Sequence, residues 1–422
     1  MTALLFTTTI ALRGATLIDG TGRPPRGNAL VVVRDGRILS VGEASPDALA
    51  ALPAGATVRD VSGRWIVPGL IDAHVHADSD GDLEQMLRWG VTSVRLMAED
   101  VASAVRLAER SRYPGSRFPD VFPAAPIFTA KGGWWDQGEP PDSNLNRFPQ
   151  TLGEARAAVR KAKALGSSEI KLMLDDMAWC RAPKPALPRM KREIARALVS
   201  EARKDGMRAI VHAPNLADAK EAVADGATAL AHGVLERLDA GTIAEMKRRP
   251  VFYIPTMDIF EFLADPRSFL DRVLADPTTL AIGADKVSRY RSKAYSDQYR
   301  ERYPNFENVS RRLPMLYRNL RRLHDAGVPI ALGTDMWAFP GLGVSIEMEL
   351  YVRAGFTPLE AIRAATQTSA RCLGVEKDRG TIEAGKKADF LVLEDDPVRD
   401  VRNVRRILEV YKDGESRPAV SR

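Results

Sequence analysis

The sequence predicts an α/β chain: a (β/α)8 barrel of the TIM type carrying a small β-sandwich assembled from both chain ends. Three observations lead there. Short apolar runs alternate with amphipathic, helix-periodic stretches between residues 67 and 375, the pattern of parallel βαβ units. Hairpin-like segments are confined to residues 1–66 and 376–422. Polar residues with metal-ligand or acid–base chemistry close several of the apolar runs, the end that faces the active site in a parallel barrel.

Residues 1–66 alternate β-rich runs with turn signals: IALRGATLID, then ALVVVRDGRILSVG with a tight Asp35-Gly36 turn, then TVRDVSGRWIVPG. This is hairpin chemistry. The apolar start MTALLFTTTIAL lacks the positive n-region of a signal peptide and runs on into strand pattern, so a cytoplasmic protein is expected. Residues 376–422 resume the style with ADFLVLEDDP and RRILEVYKDGE, where Asp413-Gly414 supplies a turn. Neither segment can hide its own sheet edges, so the two are expected to complete one split sandwich.

Eight barrel strands are expected around 70–74, 92–96, 121–128, 169–173, 208–212, 228–232, 251–255 and 329–333. The first ends in VPGLIDAHVH, and because strand side chains alternate, His74 and His76 leave the same face and can share one cation. His212 closes MRAIVH, His232 closes ATALAH and Asp335 closes IALGTD. Lys171 lies inside EIKLML, where a bare ammonium would be costly. Ligands converging from five strands require a closed ring. The alternative, a doubly wound open sheet, lacks a Gly-rich phosphate loop after its early strands. The fifth histidine, His324, falls in a helix pattern and reads as a last-turn helix charge.

Two connections are long. TAKGGWWDQGEPPDSNLNRFPQ follows the third strand with Gly132-Gly133, Trp134, Trp135 and Pro140-Pro141. Trp134 and Trp135 are candidates to stack on substrate, and Arg147 to bind its carboxylate. The second connection, Met257 to about Tyr317, is helix-periodic and dense in Tyr, Arg and Lys. It reads as a solvated helical face, with a substrate lid as the alternative.

Composition narrows the function classes. The 422 residues, 45% hydrophobic and 27% charged, suit a globular barrel with an appended domain. The net charge of +6 is spread along the chain, which excludes a concentrated nucleic-acid face but suits anionic small molecules. No apolar stretch is long enough for a transmembrane helix, so no membrane association is expected. Cys180 and Cys372 make no disulfide framework and point to a reducing compartment. A homo-oligomer is compatible with all of this.

In order and spacing, VPGLIDAHVH, GVTSVRLM, EIKLM, LAHG, ALGTD, GFTPLEAIRAAT and GTIEAGKKADFLVLEDDP are similar to blocks of the amidohydrolase superfamily. The chain resembles its branch of imidazolonepropionase-like hydrolases and metal-dependent prolidase-like dipeptidases. The resemblance implies that His74, His76 and Asp335 bind the more buried of two divalent ions, zinc first. It also implies that Lys171 reacts with carbon dioxide to a carbamate bridging to a second ion held by His212 and His232. The expected reaction is hydrolysis of an amide, of a dipeptide or an N-acyl amino acid, by a metal-bridging hydroxide, with Asp335 as general base and acid. The rival is a mononuclear hydrolase or deaminase of cyclic amides or amidines, using His74, His76, His212 and Asp335, with an unmodified Lys171 and with His232 moving protons. A non-catalytic scaffold is the third reading. The chain departs from the family pattern at Trp134-Trp135, where Gly-Gly-His is frequent, at Ala231, where Glu is frequent, and at His212-Ala213-Pro214, which lacks a second histidine.

Overall fold

The computed structural model describes residues 9–77, 79–98, 100–136 and 145–420; the start of MTALLFTTTIAL and Pro140-Pro141 lie outside them. The N-terminal hairpins form as expected. β1 (Thr9–Leu17), β2 (Arg26–Arg34) and β3 (Arg37–Glu43) are antiparallel neighbours, and β4 (Thr57–Asp60) and β5 (Trp65–Pro68) run parallel to β1. Asp35 and Gly36 both take positive φ, 51° and 77°, the twist that suits a two-residue hairpin.

The parallel strands are β6 (Leu70–Val75), β7 (Val91–Met97), β8 (Asp120–Ala124), β9 (Ile127–Phe128), β10 (Glu169–Met173), β11 (Arg208–His212), β12 (Ala229–Ala231) and β13 (Phe252–Ile254). They lie in two sheets, β6-β7-β8 and β9-β10-β11-β12-β13. The expected third strand divides into β8 and β9 around Pro126, which has no N–H for the ladder. A backbone bond from Ala125 N to Glu169 O, 3.2 Å, joins the two sheets.

The expected eighth strand is corrected. Residues 329–333 form a single bridge, Tyr253 to Ile330, rather than a regular strand. Their backbone is nonetheless bonded on both sides. Tyr253 N donates to Pro329 O and Ala331 N to Tyr253 O, each at 3.0 Å, while Ala73 N donates to Leu332 O at 2.8 Å. The ladder stops because side chains take the next donors: Leu332 N–H goes to the Ser369 hydroxyl and Thr334 N–H to the Asp72 carboxylate. Gly333 leaves no room for a side chain, since a Cβ there would come within 2.5 Å of Ile254 and 2.7 Å of the His74 Cβ.

The chain closes with β14 (Phe390–Leu393), β15 (Ile407–Lys412) and β16 (Glu415–Arg417). These join the N-terminal strands in one eight-stranded sheet ordered β16-β15-β14-β5-β1-β2-β3, with β4 on β1. Leu12, Val31 and Ile66 share a core with Phe390, Val392 and Tyr411, so neither chain end can bury its apolar face without the other. The two Asp-Gly turns meet, and a Cβ on Gly36 would stand 2.9 Å from Asp413 O. A buried charge cluster ties this β-rich part to the parallel strands: Asp120, fully buried at the start of β8, lies 2.6 Å from Arg379, 2.7 Å from Lys412 and 3.1 Å from Lys387.

The connection after β13 is helical, as its periodicity predicts: Met257–Ala264, Pro266–Leu274, Ala284–Arg291, Lys293–Arg302 and the long Phe306–Ala326. His324 sits in the last turn of that long helix, 3.2 Å from Glu360, the structural role expected of it. No described helix is long and apolar enough to cross a membrane.

Candidate active site

The carboxyl ends of the parallel strands open into a cavity of about 660 Å³ lined by His74, His76, Lys171, His212, His232 and Asp335 together. Strand geometry delivers them. His74 is the fifth residue of β6 and His76 follows its end on the same face, while Lys171 is central in β10 and His212 ends β11. His232 sits just past β12 and Asp335 just past the bridged segment 329–333, with φ of 75° and 55°. Such values are uncommon for side chains of this size and turn each residue out of the strand direction. Asp335 N donates to His74 O at 2.8 Å, fixing the two ligand-bearing segments side by side.

Asp335 is the centre of the group. Its Oδ1 lies 3.3 Å from His76 Nε2 and 3.6 Å from His74 Nε2, and its Oδ2 lies 3.8 Å from His232 Nδ1. Potential ligand atoms of His74, His232 and Asp335 all fall within 4.8 Å of one another. The rings of His212 and His232 are 4.3 Å apart between centroids, and those of His74 and His232 4.8 Å.

Protonation states suit a metal. Burial, assisted by the Lys171 charge, pushes His74 and His232 well below the usual histidine range and His76 down to about 3. Burial also lowers His212, although Asp175 opposes it. All four are therefore neutral near pH 7, the form that ligates. Burial pushes Lys171 down to about 7 against the pull of Asp335, with Arg95 adding to the fall. Burial likewise lifts Asp335 to about 7, although Lys171 holds it down in part. The Lys171 Nζ and the His74 Nδ1 are buried without a hydrogen-bond partner, an expensive arrangement for a protein interior. Four neutral imidazoles, a carboxylate and an unpartnered amine thus form a donor set that fits divalent cations.

Three supporting residues escaped sequence reasoning. Asp72 accepts hydrogen bonds from His74 N (3.0 Å), Thr334 N (3.1 Å) and Thr334 Oγ1 (2.7 Å), so one carboxylate pins both ligand-bearing segments. Its parity with His74 and His76 on β6 was the available signal. Asp175 sits 3.2 Å from His212 Nε2 and accepts from Asn215 Nδ2 at 2.8 Å, leaving Nδ1 of His212 for a ligand. Thr256, itself at φ 46°, places its hydroxyl 3.0 Å from His232 Nδ1. No sequence pattern marks it.

Trp134 and Trp135 both line the cavity, and the Trp135 ring stacks on His76 at 5.0 Å. Arg147 does not line it. Its side chain is buried, with the guanidinium 5.3 Å from the Phe148 ring centroid. Cys180 and Cys372 are free and buried, and burial pushes both thiols up, away from nucleophile character.

Comparisons with known proteins bear on this geometry. The model of the amidohydrolase family matches residues 65–417. Ochratoxinase of Aspergillus niger is 25% identical over 448 residues, covering 94% of this chain and 84% of that protein. Imidazolonepropionase of Methylobacterium sp. (strain 4-46) is 27% identical over 421 residues, covering 90% and 91%. Among solved structures, a putative prolidase from Bifidobacterium longum superposes with a TM-score of 0.77 at 26% identity, covering 98% of this chain and 96% of the other.

Proposed function

The chain belongs to the amidohydrolase family, whose members here are hydrolases of carbon–nitrogen bonds, and from that premise we propose a metal-dependent enzyme that cleaves the amide of a dipeptide or an N-acyl amino acid with water. The observation that carries the proposal is the convergence of His74, His76, Lys171, His212, His232 and Asp335 on one cavity. In this reading His74, His76 and Asp335 hold one divalent ion, and His212, His232 and a carboxylated Lys171 hold a second, zinc being the first candidate. Divalent ions bound there would supply a water acidified toward neutral pH and a Lewis acid for the substrate carbonyl.

The chain's own residues do the rest. Asp335, raised to about 7, is poised to accept a proton from the attacking water and return it to the leaving nitrogen. Lys171, lowered to about 7, keeps an appreciable neutral fraction, the nucleophilic form that carboxylation requires. Trp134 and Trp135 bound the space beside His76.

The boundaries read from the sequence are kept: residues 67–375 as a (β/α)8 barrel, and 1–66 with 376–422 as one β-sandwich. Supporting the barrel are the backbone bonds that carry β13 through residues 329–332 to Ala73. Supporting the union of the two chain ends in one β-rich domain is the single sheet they share. Two buried free cysteines suit a cytoplasmic location.

A second reading, a mononuclear hydrolase of cyclic amides with His74, His76, His212 and Asp335 on the metal and His232 moving protons, draws on the imidazolonepropionase relative. The test is a hydrolysis screen of metal-loaded protein over dipeptides, N-acyl amino acids, lactams and lactones. Cleavage of linear amides, lost in His74→Ala and Asp335→Asn with the fold intact, supports the first reading. Cleavage of lactams alone supports the second.

A further inference from the structure

We propose that Glu347 is a positioning residue for His232 and acts on it through Thr256. The first observation is a helix cap that is missing from its usual place. Thr256 stands at the N-cap of the helix Met257–Ala264, where a threonine hydroxyl ordinarily accepts a backbone N–H two or three residues on, yet it accepts none. Its φ of 46° and ψ of 53° turn it instead toward the site, with the hydroxyl 3.0 Å from His232 Nδ1. The left-handed region is unfavourable for a β-branched side chain, so the surroundings must hold it there.

The second observation is what takes over the cap. Glu347 belongs to the helix Leu342–Arg353, is fully buried, and turns both carboxyl oxygens to the start of the other helix: Met257 N donates to Oε1 and Asp258 N to Oε2, each at 2.8 Å. The third free donor, Ile259 N, goes to Asp258 Oδ1 at 2.9 Å. All three are therefore satisfied without Thr256, whose hydroxyl is left for the imidazole. A carboxyl group in a stretch buried from Leu342 to Met348 is an expensive placement, and these two donors give it a reason. Gly343, one turn earlier on the same helix, permits the approach: a Cβ there would stand 3.3 Å from Thr334 Cγ2 and 3.5 Å from Asp258 Oδ2. With its Nδ1–H donating to Thr256, His232 keeps on Nε2 the lone pair that a metal or a proton requires. Glu347 thus fixes the tautomer and direction of a ring to which it is not itself bonded.

The test combines steady-state kinetics, on a substrate returned by the hydrolysis screen, with NMR of the zinc-loaded protein labelled at histidine nitrogen. Thr256→Val and Glu347→Ala should each lower kcat about ten-fold with KM changed less than about two-fold, and the double variant should be no slower than either alone. Both should lose or shift the His232 Nδ1–H signal of the parent. Glu347→Gln keeps the shape and one acceptor, and serves if the alanine variant does not fold; it should cost about three-fold in kcat in the parent and nothing in the Thr256→Val background. Losses that multiply in the double variant, or a Glu347 variant of lowered Tm with kcat and the Nδ1–H signal of the parent, would overturn the inference and leave Glu347 a plain helix cap. The kinetic arm rests on the amidohydrolase reading. If no substrate is cleaved, that reading falls, and the Nδ1–H signal alone decides the role of Glu347.

Discussion

Replacing Asp72 tests whether one buried carboxylate organises the site. It is 2% exposed and accepts three hydrogen bonds, two from backbone N–H groups on separate ligand-bearing segments and one from the Thr334 hydroxyl. Asp72→Ala removes both acceptor oxygens and with them all three bonds. At about 1–2 kcal/mol for each buried donor left unsatisfied, the loss is about 3–6 kcal/mol. The local consequence is larger than the global one. His74 and Asp335 lose the tie that fixes their spacing, and metal affinity should fall about 10- to 100-fold, as when supporting partners of metal ligands are removed. Asp72→Asn separates shape from charge. Its Oδ1 can still accept from both N–H groups while its amide donates to Thr334 Oγ1, so stability should stay within about 1.5 kcal/mol of the parent. Burial pushes Asp72 up to about 7. The assays are urea unfolding and metal content after dialysis against a graded chelator. An alanine variant that keeps both within error, or an asparagine variant as damaged as alanine, would refute the reasoning.

Three further outcomes are expected. Asp120 is drawn up by burial but held far below the usual carboxylate range by Arg379, Lys412 and Lys387. A depressed folded-state value means that the stabilisation is complete above the unfolded value of about 4 and is lost as pH falls below it. Asp120→Asn should therefore cost about 3 kcal/mol at pH 7 and somewhat less at pH 3 by denaturant titration, the remainder being lost only as pH falls through the depressed folded value, with kcat unaffected because the residue begins its strand at the end away from the cavity; equal losses at both pH values would contradict this. Gly333→Ala should abolish metal binding, because its Cβ would overlap Ile254 and His74, and a variant with normal metal content would show that the strands can part. Thr256→Val should lower kcat about ten-fold with little change in Tm, since it frees the His232 ring; an unchanged kcat would remove Thr256 from the machinery.

Much of this was legible in the sequence because the signals are local. Alternation alone placed His74 and His76 on one face, and the run-ending positions of His212, His232 and Asp335 brought them to one rim. Asp-Gly dipeptides marked both hairpin turns. What stayed hidden depends on contacts between distant segments. Residues 329–333 carry strand-like composition, yet Ser369 takes the Leu332 donor and Asp72 that of Thr334 just beyond, and neither partner is near in sequence. Arg147 reads as a loop cation and is instead packed beside Phe148. The cavity cations Arg289 and Arg302 read as part of a solvated helical face. Only the packing of that connection over the strand ends reveals them as lining.

The central claim, six residues holding two ions, is tested most directly by counting metal. Elemental analysis of fully active enzyme should find two divalent ions per chain, and Lys171→Ala should lose metal and activity together, with added short carboxylates restoring part of both. One ion per chain at full activity, together with an unmodified Lys171 by mass spectrometry, would contradict the account and leave the mononuclear reading in its place.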